Sequence, residues 1–133
     1  MYIYDTNNFP YVEFGDDIKR QIRLVLSPDI GNAQGANIVT CSVPVGGVSE
    51  AHVHPDADEI IHFNIAGKAK MDGTVYDVPV NGFVYAPKGV SHECINTSET
   101  DTLELLCIFV PAFKPYGKYP ELIADTKRYL ETI

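Results

Sequence analysis

Residues 52–59 read His-Val-His-Pro-Asp-Ala-Asp-Glu, and a further histidine follows at position 92 in Pro-Lys-Gly-Val-Ser-His. Residues two apart on a β-strand point to the same side, so His52 and His54 can present their imidazoles to one ion. The proline that follows lacks a backbone N–H and ends this strand, and the short acidic stretch after it turns the chain. Glu59 can then open a neighbouring strand beside the two histidines. The spacing therefore predicts a metal site formed by His52, His54, Glu59 and His92.

The residue types indicate which ion such a site would hold. Neutral imidazoles with a carboxylate suit one divalent transition metal per chain better than calcium or magnesium, which prefer shells of oxygen ligands. Iron, manganese, zinc, nickel and cobalt all remain open. Four protein ligands on an ion that accepts six would leave positions for water, dioxygen or a chelating substrate. The alternative is an ion that only braces the fold, or a fold retained without a metal.

Two motifs around these residues resemble those of the cupin superfamily, in particular its small single-domain members that bind a metal. The first motif has the order Gly, His-x-His, Glu, Gly, and is matched by Gly46, His52, His54, Glu59 and Gly67. The second has the order Gly, Pro-x-Gly, His, Asn, and is matched by Gly82, Pro87, Gly89, His92 and Asn96. One gap in each motif differs from the family pattern by a single residue, which a bulge or a shorter turn absorbs without moving the ligands. The resemblance covers residues 46–96.

The rest of the chain alternates short strand-like runs with turns rich in Gly, Pro, Asn and Asp, of which Asp72-Gly73 is a hairpin signal. This pattern predicts an all-β protein with a closed or double-sheet antiparallel architecture. The resemblance implies a double-stranded β-helix, a jelly-roll barrel whose interior receives the metal ligands. A short C-terminal α-helix is predicted at about residues 120–132, where Pro120 suits the first turn. A chain of 133 residues fits a single domain, 1–133.

Composition argues against several classes of partner. The net charge of -8 at pH 7 makes binding to nucleic acid unfavourable, and the ten Lys and Arg residues are scattered rather than gathered into a basic patch. No segment approaches the roughly 18 apolar residues of a membrane span. Cys41, Cys94 and Cys107 are widely spaced and form no Cys-x-x-Cys pair, which favours reduced thiols in a cytoplasmic protein over a disulfide framework.

Strand alternation places other polar side chains near the predicted metal. Cys94 and Asn96 share the strand face of the last predicted ligand, although a buried cysteine usually acts as a small apolar side chain. Tyr85 could present a phenol to a ligand, although aromatic strand residues more often fill cores. These three are the candidates for catalytic residues, and which of them takes part stays open. His62 lies an odd number of residues from the predicted carboxylate ligand, which predicts packing or surface exposure on the opposite face.

Two pairs of charged residues have both a functional and a plain interpretation. Arg20 and Arg23 could offer a bidentate fork to a substrate carboxylate, but surface exposure is predicted for each. Asp56 and Asp58 could orient imidazole N–H groups, but solvated turn acids are the favoured interpretation.

The resulting functional hypothesis is a metal-dependent cupin enzyme acting on a small oxygen-rich organic metabolite that chelates the metal. Dioxygenase-type oxidation, making the protein an oxidoreductase, is slightly favoured over Lewis-acid isomerisation, elimination or decarboxylation, because an enolate route needs a general base that the motifs do not supply. The alternative is a non-catalytic cupin that binds or senses a small molecule. The resemblance also implies a homodimer.

Overall fold

The computed structural model describes residues 3–133, whose regular structure consists of nine β-strands and one α-helix. The strands are β1 (Val12–Phe14), β2 (Arg20–Leu26), β3 (Asn37–Val43), β4 (Asp58–Phe63), β5 (Gly67–Met71), β6 (Thr74–Val78), β7 (Phe83–Ala86), β8 (His92–Ile95) and β9 (Leu103–Val110). The helix, α1 (Tyr119–Leu130), follows the last strand and begins within one residue of its predicted start.

The strands form two antiparallel sheets. The larger sheet has the order β1-β2-β3-β9-β4-β7, and the smaller has the order β6-β5-β8. Isolated bridges from Val48 to Ile95 and from His52 to His92 attach the 48–52 segment to the free edge of β8. Two antiparallel sheets with one C-terminal helix confirm the double-sheet architecture that the strand pattern predicted and the jelly roll that the resemblance implied.

Alternating burial shows which face of each strand meets the core. In β3 the side chains of Cys41 and Val43 point inward, and the neighbouring β9 contributes Leu103 and Phe109. Because β4 begins with Asp58, its inward positions start at Glu59, and the same alternation therefore buries a carboxylate among apolar side chains. Alternation therefore places the carboxylate of Glu59 in the interior between the two sheets.

The 52–54 segment differs from the regular strand that the His-x-His spacing predicted. Only His52 pairs with a neighbour, through its bridge to His92, and residues 53–55 have no strand assignment. Pro55 supplies no backbone donor, and the carbonyl of His54 accepts a hydrogen bond from the amide of Gly89 in the second motif. The two motifs are thus joined by the His52–His92 bridge and by this loop contact.

Helix α1 packs against β2 and buries Tyr119, Leu122, Ile123 and Thr126. Pro120 occupies the first turn, where its missing N–H needs no intrahelical partner. No helix within residues 3–133 has the length and apolarity that a membrane crossing requires.

The last glycine of the first motif is needed because another backbone approaches it closely. A Cβ on Gly67 would lie 2.8 Å from the carbonyl oxygen of Ile95 and 3.0 Å from the ring of Phe63. We expect Gly67→Ala to lower the free energy of unfolding by about 1–3 kcal/mol, measured by urea denaturation. The control is Lys68→Ala on the same strand, which removes only an exposed ion pair with Asp77. Equal losses in the two variants would contradict the argument.

Candidate metal centre

The four side chains predicted as metal ligands meet at one point. The Nε2 atoms of His92, His54 and His52 lie 2.7, 3.2 and 3.6 Å from Oε1 of Glu59. One ligand atom from each of the four residues lies within 4.8 Å of the others. Glu59 comes from β4 and His92 from β8, so the cluster joins the two sheets across the interior.

Backbone carbonyls hold two of the imidazoles with Nε2 turned toward the carboxylate. Nδ1 of His52 donates to the carbonyl of Glu50 at 2.8 Å, and Nδ1 of His92 donates to the carbonyl of Val90 at 3.0 Å. A carbonyl only accepts hydrogen bonds, so Nδ1 carries the proton in each ring and Nε2 is available as a ligand. This is the arrangement that metal-binding histidines need.

The third imidazole carries a buried atom whose hydrogen-bonding capacity is unused. Nε2 of His54 is inaccessible to solvent and makes no hydrogen bond to any residue between 3 and 133. Buried polar atoms are nearly always paired, and an unpaired ring nitrogen 3.2 Å from a carboxylate is explained if both atoms bind one cation. The cluster therefore fits a divalent ion, and its nitrogen and oxygen donors suit a transition metal.

Electrostatics keep the carboxylate of this cluster ionised. Glu59 is only 3% exposed, and burial alone would raise its pKa, but the three imidazoles beside its Oε1 hold the pKa well below its usual range. For His92, burial lowers the pKa, but the hydrogen bond to Glu59, the hydrogen bond to the carbonyl of Val90 and the negative charge of Glu59 together outweigh burial and leave the pKa raised. The centre thus offers one fixed negative charge to a bound cation.

A cavity of about 320 Å³ lies beside the cluster. His52, His54 and Glu59 line one part of it, so a molecule in the cavity would reach an ion held by these residues. Apolar side chains from the inner faces of β2, β3, β4 and β9 form most of the remaining wall, and residues 116–119 complete it. The volume is at the small end of ligand pockets and suits a small metabolite.

A family model described as the cupin domain matches residues 39–109, more than half of the chain. The chain belongs to the cupin family. The matched region contains the whole ligand cluster of this cupin and every strand from β4 to β8. The comparison with curated proteins gave no match.

Solved structures share the fold of this cupin. A predicted oxalate decarboxylase from Thermotoga maritima is similar with a TM-score of 0.71 at 16% identity, over 82% of this chain and 98% of that one. KdgF from a Halomonas species has a TM-score of 0.65 at 17% identity, over 81% and 93% of the two chains. An RmlC-like cupin from Shewanella frigidimarina has a TM-score of 0.65 at 16% identity, over 86% and 94%. At these identities the likeness concerns the fold alone.

All three cysteines of this cupin line the cavity. Cys41, Cys94 and Cys107 are buried free thiols, as expected for Cys94, and they line the same cavity as Glu59. Burial raises the pKa of Cys41 to about 12, and it also raises the pKa values of Cys94 and Cys107. The thiols therefore remain protonated and act as small apolar wall groups.

We expect the native protein to resist alkylation by iodoacetamide at pH 8. The reactive species is the thiolate, and a pKa of about 12 for Cys41 leaves almost none of it at that pH. Mass spectrometry should find no modified cysteine in the folded protein and three after unfolding in guanidinium. Rapid modification of the folded protein at any of the three positions would contradict the protonated, inaccessible state.

Two of the three candidates for catalytic residues lie outside the cavity. In β7, alternation turns Val84 and Ala86 inward, so Tyr85 is 58% exposed and donates a hydrogen bond to Oδ2 of Asp58 at 3.1 Å. Asn96 is buried, but its Nδ2 donates to the carbonyls of Val43 and Asp101 and connects two chain segments. Neither residue is among those that line the cavity.

The remaining expected polar residues have structural roles in the described chain. Asp58 accepts a hydrogen bond from the amide of Lys88 at 3.0 Å and so orders the loop before β8 rather than an imidazole. Asp56 is exposed. His62 lies on the outer face of β4 beside the ring of Phe83, as its spacing predicted.

Sequence reasoning missed two parts of the cavity wall. Arg20 was expected at the surface, but its side chain is only 12% exposed and lines the cavity. A signal existed, because Arg20 shares its strand face with the buried residues Ile22 and Leu24. Residues 116–119 were not among the predicted site residues, and nothing in their order indicates that they cover the barrel interior.

Proposed function

We propose that this cupin is a metal-dependent enzyme acting on a small oxygen-rich organic metabolite that binds the metal through two of its oxygens. The observation that supports this most directly is the position of the cluster. His52, His54 and Glu59 line a cavity, whereas a purely structural ion would be enclosed by its ligands on all sides. His52, His54, Glu59 and His92 would hold the ion, and the apolar wall would exclude bulk water from the bound molecule.

When bound, a divalent transition metal supplies Lewis acidity and, if it is iron or manganese, redox chemistry with dioxygen. The protein side of the chemistry depends on which groups can move a proton. Among the described residues that line the cavity, no carboxylate or imidazole lies outside the ligand cluster. The thiols and the buried Tyr119 have raised pKa values, and Nζ of Lys118 donates to the carbonyl of Glu13.

The lack of a general base in this wall favours oxidation over isomerisation or elimination. Those two reactions begin with removal of a carbon-bound proton, which requires a base within hydrogen-bond reach. Oxidation by dioxygen requires no such group, so the wall residues would serve to orient the substrate and keep water out. We therefore propose dioxygenase-type chemistry as the leading reaction.

Decarboxylation is the second candidate because it too proceeds without a base. It needs a proton donor for the carbanion that remains, and burial keeps the phenol of Tyr119 in its protonated form. Two structures of similar fold carry the name oxalate decarboxylase, one as a predicted activity in Thermotoga maritima and one as a mutant of the Bacillus subtilis enzyme. This likeness in fold motivates including the reaction in the test.

The test uses protein purified without oxygen and without a metal-chelating tag, reloaded separately with iron(II) and manganese(II). A panel of oxalate, 2-oxo acids, 2-hydroxy acids and 1,3-diketones is assayed for oxygen uptake in air and for carbon dioxide release under nitrogen. Oxygen uptake supports the oxidative enzyme, and release under nitrogen supports the decarboxylase. Tight binding of a panel compound with no turnover would favour a binding or sensing cupin instead.

We also infer a homodimer in the cytoplasm. The homodimer is inferred from the tendency of cupins to dimerise. The cytoplasmic location is supported by three buried cysteines that form no disulfide. Light scattering coupled to size-exclusion chromatography tests the first inference, and a monomer of 14.7 kDa would contradict it.

A further inference from the structure

We propose that the guanidinium of Arg20 anchors a carboxylate of the substrate, so that the molecule chelating the metal at one end carries a carboxylate at the other. This inference rests on the proposed function and narrows its substrate class to metal-chelating carboxylic acids. It is carried by the position of Arg20, by its unused hydrogen-bonding capacity and by the charge of the cavity wall.

The position of Arg20 is set by strand alternation. On β2, Arg20 and Ile22 face the cavity, whereas Gln21 and Arg23 face outward. Arg23 already has partners there, because its Nε donates to the carbonyl of Phe9 and its guanidinium lies over the ring of Tyr11. The strand thus provides one arginine for structure and one directed into the cavity.

The guanidinium of Arg20 has a buried donor without an acceptor. Its Nη1 atom is inaccessible to solvent and makes no hydrogen bond within the part of the chain that the structure describes. Oε1 of Glu50 lies 3.4 Å away as an ion-pair partner, but Glu50 is 55% exposed. A buried cation without a hydrogen-bonded anion is costly, so this group is poised to accept an anionic ligand.

The cavity wall is cationic although the protein is acidic. The guanidinium carbon of Arg20 lies 5.2 Å and Nζ of Lys118 4.8 Å from the centre of the Phe14 ring, and all three side chains line the cavity. Glu59 is the only carboxylate among the described lining residues, so Arg20 and Lys118 outnumber the carboxylates of the wall. In a chain with a net charge of -8, this wall selects for an anion.

A carboxylate matches this site in shape as well as in charge. The planar guanidinium presents parallel N–H donors that bind both oxygens of one carboxylate, and such charge-assisted bonds are the stronger kind. Because the cavity is small, little space separates the metal-binding end of the ligand from the end that binds Arg20. The ligand is therefore a compact acid with oxygens at one end for the metal and a carboxylate at the other.

Glu50 connects the arginine to the metal ligands. Its backbone carbonyl accepts the hydrogen bond from Nδ1 of His52, while its side chain is the exposed partner of Arg20. The residue has a φ of 60°, which sets its carbonyl and side chain in these two directions. A substrate carboxylate can replace the exposed side chain on Arg20 without disturbing the carbonyl that orients His52.

The experiment compares two probes that differ only in the distal group. Succinic monohydroxamic acid and butyrohydroxamic acid both chelate a metal through the hydroxamate oxygens, but only the first carries a carboxylate. Each is titrated into the cobalt(II)-loaded protein and followed by the visible spectrum of the ion, and the glutaric and valeric counterparts test a longer spacer. We expect the carboxylated probe of suitable length to bind about 10- to 100-fold more tightly than its neutral counterpart.

Variants assign this difference to Arg20. Arg20→Met should bind the carboxylated and the neutral probe with equal affinity. Arg23→Met removes the same charge from the opposite face of the same strand and should keep the parental difference. Glu50→Gln removes the negative charge that competes with a substrate carboxylate for Arg20. It should strengthen binding of the carboxylated probe by about two- to fivefold and leave binding of the neutral probe unaffected.

The outcomes separate this inference from the proposed function. If the parent protein binds carboxylated and neutral probes equally at both spacer lengths, the carboxylate anchor is wrong, while the metal site stands. If no hydroxamate changes the cobalt spectrum, the open metal site fails and the anchor fails with it. If Arg20→Met does not fold, the parental probe ratio and the Glu50→Gln shift decide the question.

Discussion

Replacing His92 with alanine should abolish stoichiometric binding of a divalent transition metal. His92 is 2% exposed, and its Nε2 lies 2.7 Å from Glu59, at the centre of the cluster. The change removes one of the four ligands and leaves the Glu59 carboxylate without its nearest partner. Metal analysis of protein prepared without oxygen and without a chelating tag should find one ion per chain in the parent and less than a tenth of that in the variant.

Two further variants make this result specific. His52→Ala should lose the metal as well, because its Nε2 faces the same carboxylate oxygen at 3.6 Å. His62→Ala is the matched control, since this histidine lies on the outer face of β4, beside Phe83, and contacts none of the four ligands. Equal metal content in the parent, His92→Ala and His62→Ala would remove the basis for every functional statement about the cavity.

Metal removal should also lower the stability of the parent protein. A ligand that binds only the folded state adds stability that grows with its concentration, by about 2.7 kcal/mol at a hundred times its dissociation constant. A chelator such as EDTA should therefore lower the Tm of the parent protein and of His62→Ala. It should leave the Tm of His92→Ala unchanged, because that variant has no metal to lose.

The ligand cluster could be predicted from sequence because its signal is local. His52 and His54 are two residues apart, and Glu59 and His92 sit at spacings that the cupin motifs share. The regular strand predicted at 52–54 does not form, yet the imidazoles converge because carbonyls of Glu50 and Val90 orient two of the rings. Residue type and spacing decided the outcome more than the exact secondary structure did.

The rest of the cavity depends on contacts between distant segments, which spacing does not encode. Tyr85 was a candidate for a catalytic residue because of its residue type. Which face of β7 is buried depends on the pairing of this strand with β4, and the spacing of residues in the sequence does not reveal that pairing. Residues 116–119 line the cavity at the start of α1, which docks on β2, so their position depends on a contact between distant segments. Arg20 was the avoidable omission, since its strand shows alternation from Arg20 through Leu24.

Leu122→Ala should give the largest stability loss among substitutions in the helix. Leu122 is 0% exposed and belongs to the main core cluster together with Tyr119 and Ile123. Truncating a fully buried leucine costs about 2–5 kcal/mol through lost burial and the cavity left behind. For a domain of this size that corresponds to a fall in Tm of roughly 5–20 °C. Thermal and urea unfolding of the metal-free protein measure it.

Lys127→Ala is the control for this change because it alters the same helix at an exposed position. Leucine, lysine and alanine all favour helices, so the two variants differ mainly in what is buried. The four proposed metal ligands come from β4, β8 and the 52–54 segment, so Leu122→Ala should still bind one ion per chain below its Tm. Since α1 positions Tyr119 in the cavity wall, the affinity for butyrohydroxamic acid should fall even where the metal is retained. A variant with parental stability would show that the helix contributes little to the core, and one that folds but loses the metal would show that α1 also holds the ligand cluster in place.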